Sequence, residues 1–200
     1  MPELKTILEA VLLSAGEPLA LDRLQSVFPE PDRPDREVLR IALADLAADC
    51  AGRGVELVEV AGGFRLQVPK TFSPWISRLW EERIASYSRA LLETLALIAY
   101  RQPITRGEIE AVRGVSLSGS IMKTLQERGW IKVIGHREVP GRPALYATTH
   151  AFLDYFNLKS LSELPPLAAL RDLDATGAEL ERRAAALSGD SSPPTEPSDV

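Results

Sequence analysis

The chain has 200 residues, 45% of them hydrophobic, with a net charge of −5, which leaves room for two small domains with cores of their own. A single cysteine, Cys50, excludes an internal disulfide framework, and no apolar run approaches the roughly 18 residues of a membrane span. The start, Met1-Pro2-Glu3-Leu4-Lys5, has no basic region leading into an apolar stretch, so it is not a secretory signal and the chain reads as cytoplasmic.

Leu4, Ile7, Leu8, Val11 and Leu12 fall on one helical stripe, and Gly16-Glu17-Pro18 ends that helix. A short second helix carries Leu21, Leu24, Val27 and Phe28. Three prolines between Pro29 and Pro34 then dictate a loop. A third helix buries Val38, Leu39, Ala42, Leu43 and Leu46 and stops at Gly52-Arg53-Gly54. There the period falls to two: Val55 to Val60 and Phe64 to Val68 read as strands joined by Ala61-Gly62-Gly63, a hairpin signal. Three helices followed by a β-hairpin describe a winged helix. Thr71 to Trp80 reads as one more helix, opening near Ser73-Pro74.

The second half repeats the plan. Ser88 caps a helix carrying Leu91, Leu92, Leu95, Ile98 and Ala99, and Gln102-Pro103-Ile104 echoes Glu17-Pro18-Leu19. Thr105-Arg106-Gly107-Glu108 is a capping box that opens the next helix, which Arg113-Gly114-Val115 closes. A third helix from Ser118 turns Ile121, Met122 and Leu125 inward and ends at Gly129. Trp130 to Ile134 and Ala144 to Thr148 are strands around Pro140-Gly141-Arg142-Pro143. Phe152, Leu153, Tyr155 and Phe156 suggest a last helix, and Pro165-Pro166 closes the fold. The expected class is mostly α with small β-hairpins (α+β), as two tandem winged-helix domains, 1–82 and 83–167. Residues 168–200 form an acidic Pro/Ser-rich tail: a weak helix over Ala168 to Leu187, then disorder.

Charge divides along the same lines. Residues 1–82 hold 9 Lys/Arg against 14 Asp/Glu, residues 83–166 hold 11 against 7, and the remainder 3 against 7. The third helix of the first unit shows Asp35, Glu37, Asp45 and Asp49, a face that repels phosphate. The second unit offers Lys123, Gln126 and Arg128 on its third helix and Lys132, Arg137 and Arg142 on its wing. Without a dense cluster of Lys/Arg among aromatics, this reads as a solvated basic face, with at most weak contact to DNA.

Catalysis lacks its residues. One cysteine and two histidines, His136 and His150, cannot make a four-ligand zinc set, and both histidines read as surface groups. Gly114 to Gly119 has the glycine spacing of a phosphate loop, but Ser120 stands where lysine is needed, and a helix–turn–helix corner capped by serine explains it. Glu108 and Glu110 are accounted for by capping and solvation. No cofactor and no enzymatic activity are expected.

The run Leu92-Glu93-Thr94-Leu95-Ala96-Leu97-Ile98-Ala99-Tyr100-Arg101-Gln102-Pro103-Ile104-Thr105-Arg106-Gly107-Glu108-Ile109 closely resembles the signature of the segregation and condensation protein B (ScpB) family. So do Val58 to Phe64, Arg113-Gly114-Val115, Gly141-Arg142-Pro143, Thr148-Thr149 with Phe152-Leu153, and Leu158 to Leu167. The resemblance spans about residues 3–167. It departs at Ala20, where family members often carry a serine-like cap. It implies a pair of winged-helix domains that dimerises mainly through the first and binds a kleisin subunit, ScpA. The kleisin bridges the heads of an SMC ATPase, so the chain would reach the nucleoid through that complex, in chromosome condensation and segregation. The competing reading is a tandem winged-helix transcriptional regulator that binds DNA.

Two sets of residues carry the interaction reading. Trp75 and Trp80, with Phe72, serve either as core of the first unit or as an aromatic dimer surface. Tyr100, Arg101 and Gln102 exceed what a turn before Pro103 requires; they either contact the kleisin or pack locally, with Leu117, Lys123 and the second wing as the next surface.

Overall fold

The computed structural model describes residues 3–79 and 87–166. The first unit contains α1 (Leu4–Ala15), α2 (Leu21–Gln25), α3 (Arg36–Asp49), β1 (Glu56–Val60), β2 (Gly63–Gln67) and α4 (Ser73–Leu79), the last entered through a 3-10 turn at Lys70–Phe72. The second contains α5 (Arg89–Arg101), β3 (Ile104–Thr105), α6 (Arg106–Arg113), α7 (Gly119–Glu127), β4 (Ile131–His136), β5 (Ala144–Thr148) and α8 (His150–Tyr155). Both units are winged helices, in the order read from the sequence. The described residues up to Ser162 form one compact body. Trp80 and the tail expected over 168–200 lie outside the described residues.

The first core is made of leucine. Leu8, Leu12, Leu24, Leu39, Leu43 and Leu46 from the three helices are buried together with Cys50, and Leu57, Phe64 and Leu66 pack on them from the hairpin. Burying each such side chain is worth about 1.5–3 kcal/mol, and that burial outweighs weak local signals. α2 therefore forms although Ala20 offers no side-chain cap. β1 and β2 pair antiparallel in the register Leu57↔Leu66 and Glu59↔Phe64.

The second core adds aromatic rings to Leu91, Leu95, Ile98, Ile109, Met122, Leu125 and Ile131. Trp130 is buried, and Tyr87, Tyr155 and Phe156 surround it at centroid distances of 5.2, 4.6 and 5.6 Å. The caps follow their chemistry. Ser88 Oγ accepts from Leu91 N–H, Ser118 Oγ from Ser120 N–H, and the Thr105–Glu108 box is reciprocal.

A strand in the second unit and a bridge in the first were not expected. β3 pairs with β5 through Ile104↔Tyr146 and Thr105↔Leu145, making a three-stranded sheet in the order β3-β5-β4. In the first unit a bridge between Leu19 and Phe64 holds the same place, each N–H donating to the other's carbonyl at 2.9 Å. The duplication thus reaches the corner after the first helix of each unit.

Candidate partner interface

The corner between α5 and β3 separates the proposed contact residues into different roles. Gln102 is half-buried and committed to the fold. Its Oε1 accepts from the Thr148 backbone N–H at 2.7 Å and from the Thr148 hydroxyl at 3.0 Å, while its Nε2 donates to Ala99 O at 3.1 Å. It ties the end of α5 to the last residue of β5. Tyr100 is half-buried, and Arg101 is exposed. Arg101 borders a recess of about 250 Å3 shared with Pro103, Ile104, Glu108, Ala111 and Val112.

The corner between α6 and α7 corrects one expectation. Leu117 is only 2% exposed and belongs to the core. Its N–H donates to Glu110 Oε1 at 2.8 Å and its carbonyl accepts from Arg106, so backbone and side chain are both held. An apolar residue in a Gly/Ser-rich turn reads as exposed; here the turn folds back and inserts it. Lys123, one turn into α7, is exposed and pairs with Glu127 at 3.6 Å. The structure thus places Arg101 and Lys123 on the surface, commits the half-buried Gln102 to hydrogen bonds within the fold and buries Leu117.

Trp75 does not serve as core: it is 67% exposed, and α4 buries none of its residues. Leu79 is 75% exposed, and the ring of Phe72 lies 6.3 Å from that of Trp75. A larger recess, about 630 Å3, opens between α1 and α2 against Ile7, Val11, Leu19, Arg23 and Val27. Nothing in the sequence signalled it, and Val27, expected within the second helix, lies beyond the end of α2 and is exposed.

Acidic partners compensate much of the second unit's basic character. Arg137 pairs with Glu108 and Arg142 with Glu138, each at 2.7 Å, and the Arg128 guanidinium stands 5.1 Å from the centre of the Tyr87 ring. The Thr105 backbone N–H, then its hydroxyl, then Arg137 hold the Glu108 carboxyl below its ordinary range. Glu110 is lowered first by the Leu117 N–H and then by Arg106. Hydrogen bonding to the charged form is the leading cause at both sites.

Among the described residues no three His, Cys, Asp or Glu side chains gather as metal ligands, and no helix is long and apolar enough to cross a membrane. His136 and His150 are exposed.

A family model described as "Segregation and condensation complex subunit ScpB" matches residues 6–167, which takes in nearly all of both winged-helix units. A segregation and condensation protein B homolog of Coxiella burnetii is 52% identical over 195 residues, 97% of this chain and 93% of that protein. Segregation and condensation protein B of Syntrophotalea carbinolica is 42% identical over 175 residues, 86% and 85% of the two chains. Among solved structures, a dimer of the ScpB N-terminal domain complexed with an ScpA peptide is 30% identical, covering 38% of this chain and 93% of that one, with a TM-score of 0.35. Matched across both of its units and over nearly its whole length, the chain belongs to the ScpB family.

Proposed function

We propose that this chain is the non-enzymatic accessory subunit of an SMC–kleisin complex, a dimer that binds the kleisin ScpA and through it serves chromosome condensation and segregation. The observation that carries the reading is the family match over residues 6–167. The surface chemistry supports it. Arg137 and Arg142 are ion-paired to carboxylates of the same unit, so fewer cations remain for phosphate, and phosphate contacts supply most of the affinity for DNA. The first unit would carry the dimer contact and the second a kleisin contact that includes Arg101.

Co-expression with the kleisin and SMC heads of the same genome, followed by size exclusion with light scattering, tests the assignment. A stable complex with the kleisin is expected. Failure to associate, or binding of a specific duplex at physiological salt, would return the chain to the regulator class. Arg101→Ala should cost about 1–3 kcal/mol of kleisin affinity by calorimetry at unchanged melting temperature, because the side chain is exposed. Gln102→Ala should instead lower the melting temperature, because it leaves Thr148 without its acceptor.

A further inference from the structure

The tip of the first hairpin does not stand free in solvent. Ala61 N–H donates to Leu158 O at 3.0 Å, and Gly62 N–H to Asp154 Oδ1 at 2.7 Å. Arg65, on β2, donates to Asp154 O at 3.0 Å and to the Asn157 side chain, and Lys159 pairs with Glu59 at 2.7 Å. Every partner on the far side belongs to α8 or the residues just after it, some 90 to 100 positions later in sequence.

We propose that this hairpin tip is an intramolecular clasp that locks the first winged helix onto the C-terminal end of α8, joining the two units into one rigid platform. Three features that neither unit explains by itself fall into place. Gly63 is required locally: its φ is 124°, and a Cβ there would lie 2.1 Å from Leu19 O. Gly62 has no such local reason, since its φ lies outside the left-handed region, yet a Cβ would meet the Asp154 carboxylate at 2.7 Å. The group that a side chain at 62 would displace belongs to the second unit.

The other two features concern the end of α8. Asp154 stands in the last turn, where the helix dipole disfavours a negative charge. The Gly62 N–H offsets that penalty. Asn157 is left-handed at φ 57°, with Asn157 N–H donating to Asp154 O and Leu158 N–H to Leu153 O, a helix-ending pair of backbone bonds. The Asp154 carbonyl, which already accepts from Asn157 N–H, also accepts from the Arg65 guanidinium, whose charge is favourable at a helix C-terminus. Just beyond the helix, the Leu158 carbonyl takes the Ala61 N–H.

The clasp predicts that two amides of the first unit are guarded by residues of the second. In hydrogen exchange on the full-length chain, Ala61 and Gly62 should be protected. Asp154→Ala should speed exchange at Gly62 by tenfold or more, and Gly62→Ala should do the same at Ala61. The Leu19 and Phe64 amides, bonded within the first unit, should keep their rates. If Asp154→Ala loosens those amides as well, the Gly62→Ala variant decides on the same readout. Unprotected Ala61 and Gly62 in the wild type, or protection indifferent to both substitutions, would overturn the clasp. Protection that falls on dilution would place the contact between two copies and overturn its intramolecular form.

Discussion

Glu108 shows how one carboxylate can be taken up by folding. Its Oε2 accepts from the Thr105 N–H at 2.9 Å and the Thr105 hydroxyl at 2.8 Å, and its Oε1 accepts from Arg137 at 2.7 Å. All of these bonds favour the ionised form, so the folded-state pKa lies below the ordinary 4.5. The sign follows by linkage: the stabilisation is complete above the unfolded-state pKa and is lost as pH falls through the lower, folded-state one. Glu108→Gln should therefore melt below the wild type at pH 7, with the gap closing as pH falls below about 4.5. Thermal denaturation across that range measures it, and a gap that stays constant with pH would mean the carboxylate charge plays no part. The capping role was legible in the sequence, because Thr-x-x-Glu is local. The pairing with Arg137 was not, because its partner lies 29 residues away.

At the scale of elements, the corner after each first helix is the feature to test. Gly63 lies where β2 passes Leu19, and their paired backbones bring Leu19 O within 2.1 Å of any Cβ at position 63. Gly63→Ala should thus break the Leu19–Phe64 bridge as well as strain the turn, at a cost above about 1 kcal/mol, read from chemical denaturation. A neutral substitution would show that the bridge does not hold the hairpin. The sequence announced the Gly-Gly pair as a hairpin, and that reading holds. It could not announce that one glycine serves the turn and its neighbour serves a helix 92 positions later. The helices were legible because their apolar stripes and caps are local and periodic. β3, only two residues long, has no period to read, and it forms because β5 offers an open edge. The candidate site was legible to a smaller degree: residue type suggested Arg101 and Gln102 alike, and only the fold shows that Thr148 claims the amide.

For the whole molecule, the open question is what covers α4. A tryptophan at 67% exposure, with the Phe72 ring beside it, and a leucine at 75% one turn further on leave much apolar surface in water at one short helix. Scattered single apolar residues need no explanation, but adjacent ones mark a contact surface. The proposed dimer gives them one, and tryptophan is among the residues whose truncation costs most at an interface. Trp75→Ser in the full-length chain should weaken self-association by at least about 2 kcal/mol, which is roughly a 30-fold rise in the dimer dissociation constant. Sedimentation across a concentration series measures this directly. The monomer's melting temperature should not fall, because α4 buries none of its residues in the single chain. Wild-type self-association in the variant would take the dimer contact away from α4. An apolar recess remains between α1 and α2 on the same unit, and Val11→Asp in the same sedimentation series would then show whether the two copies meet there.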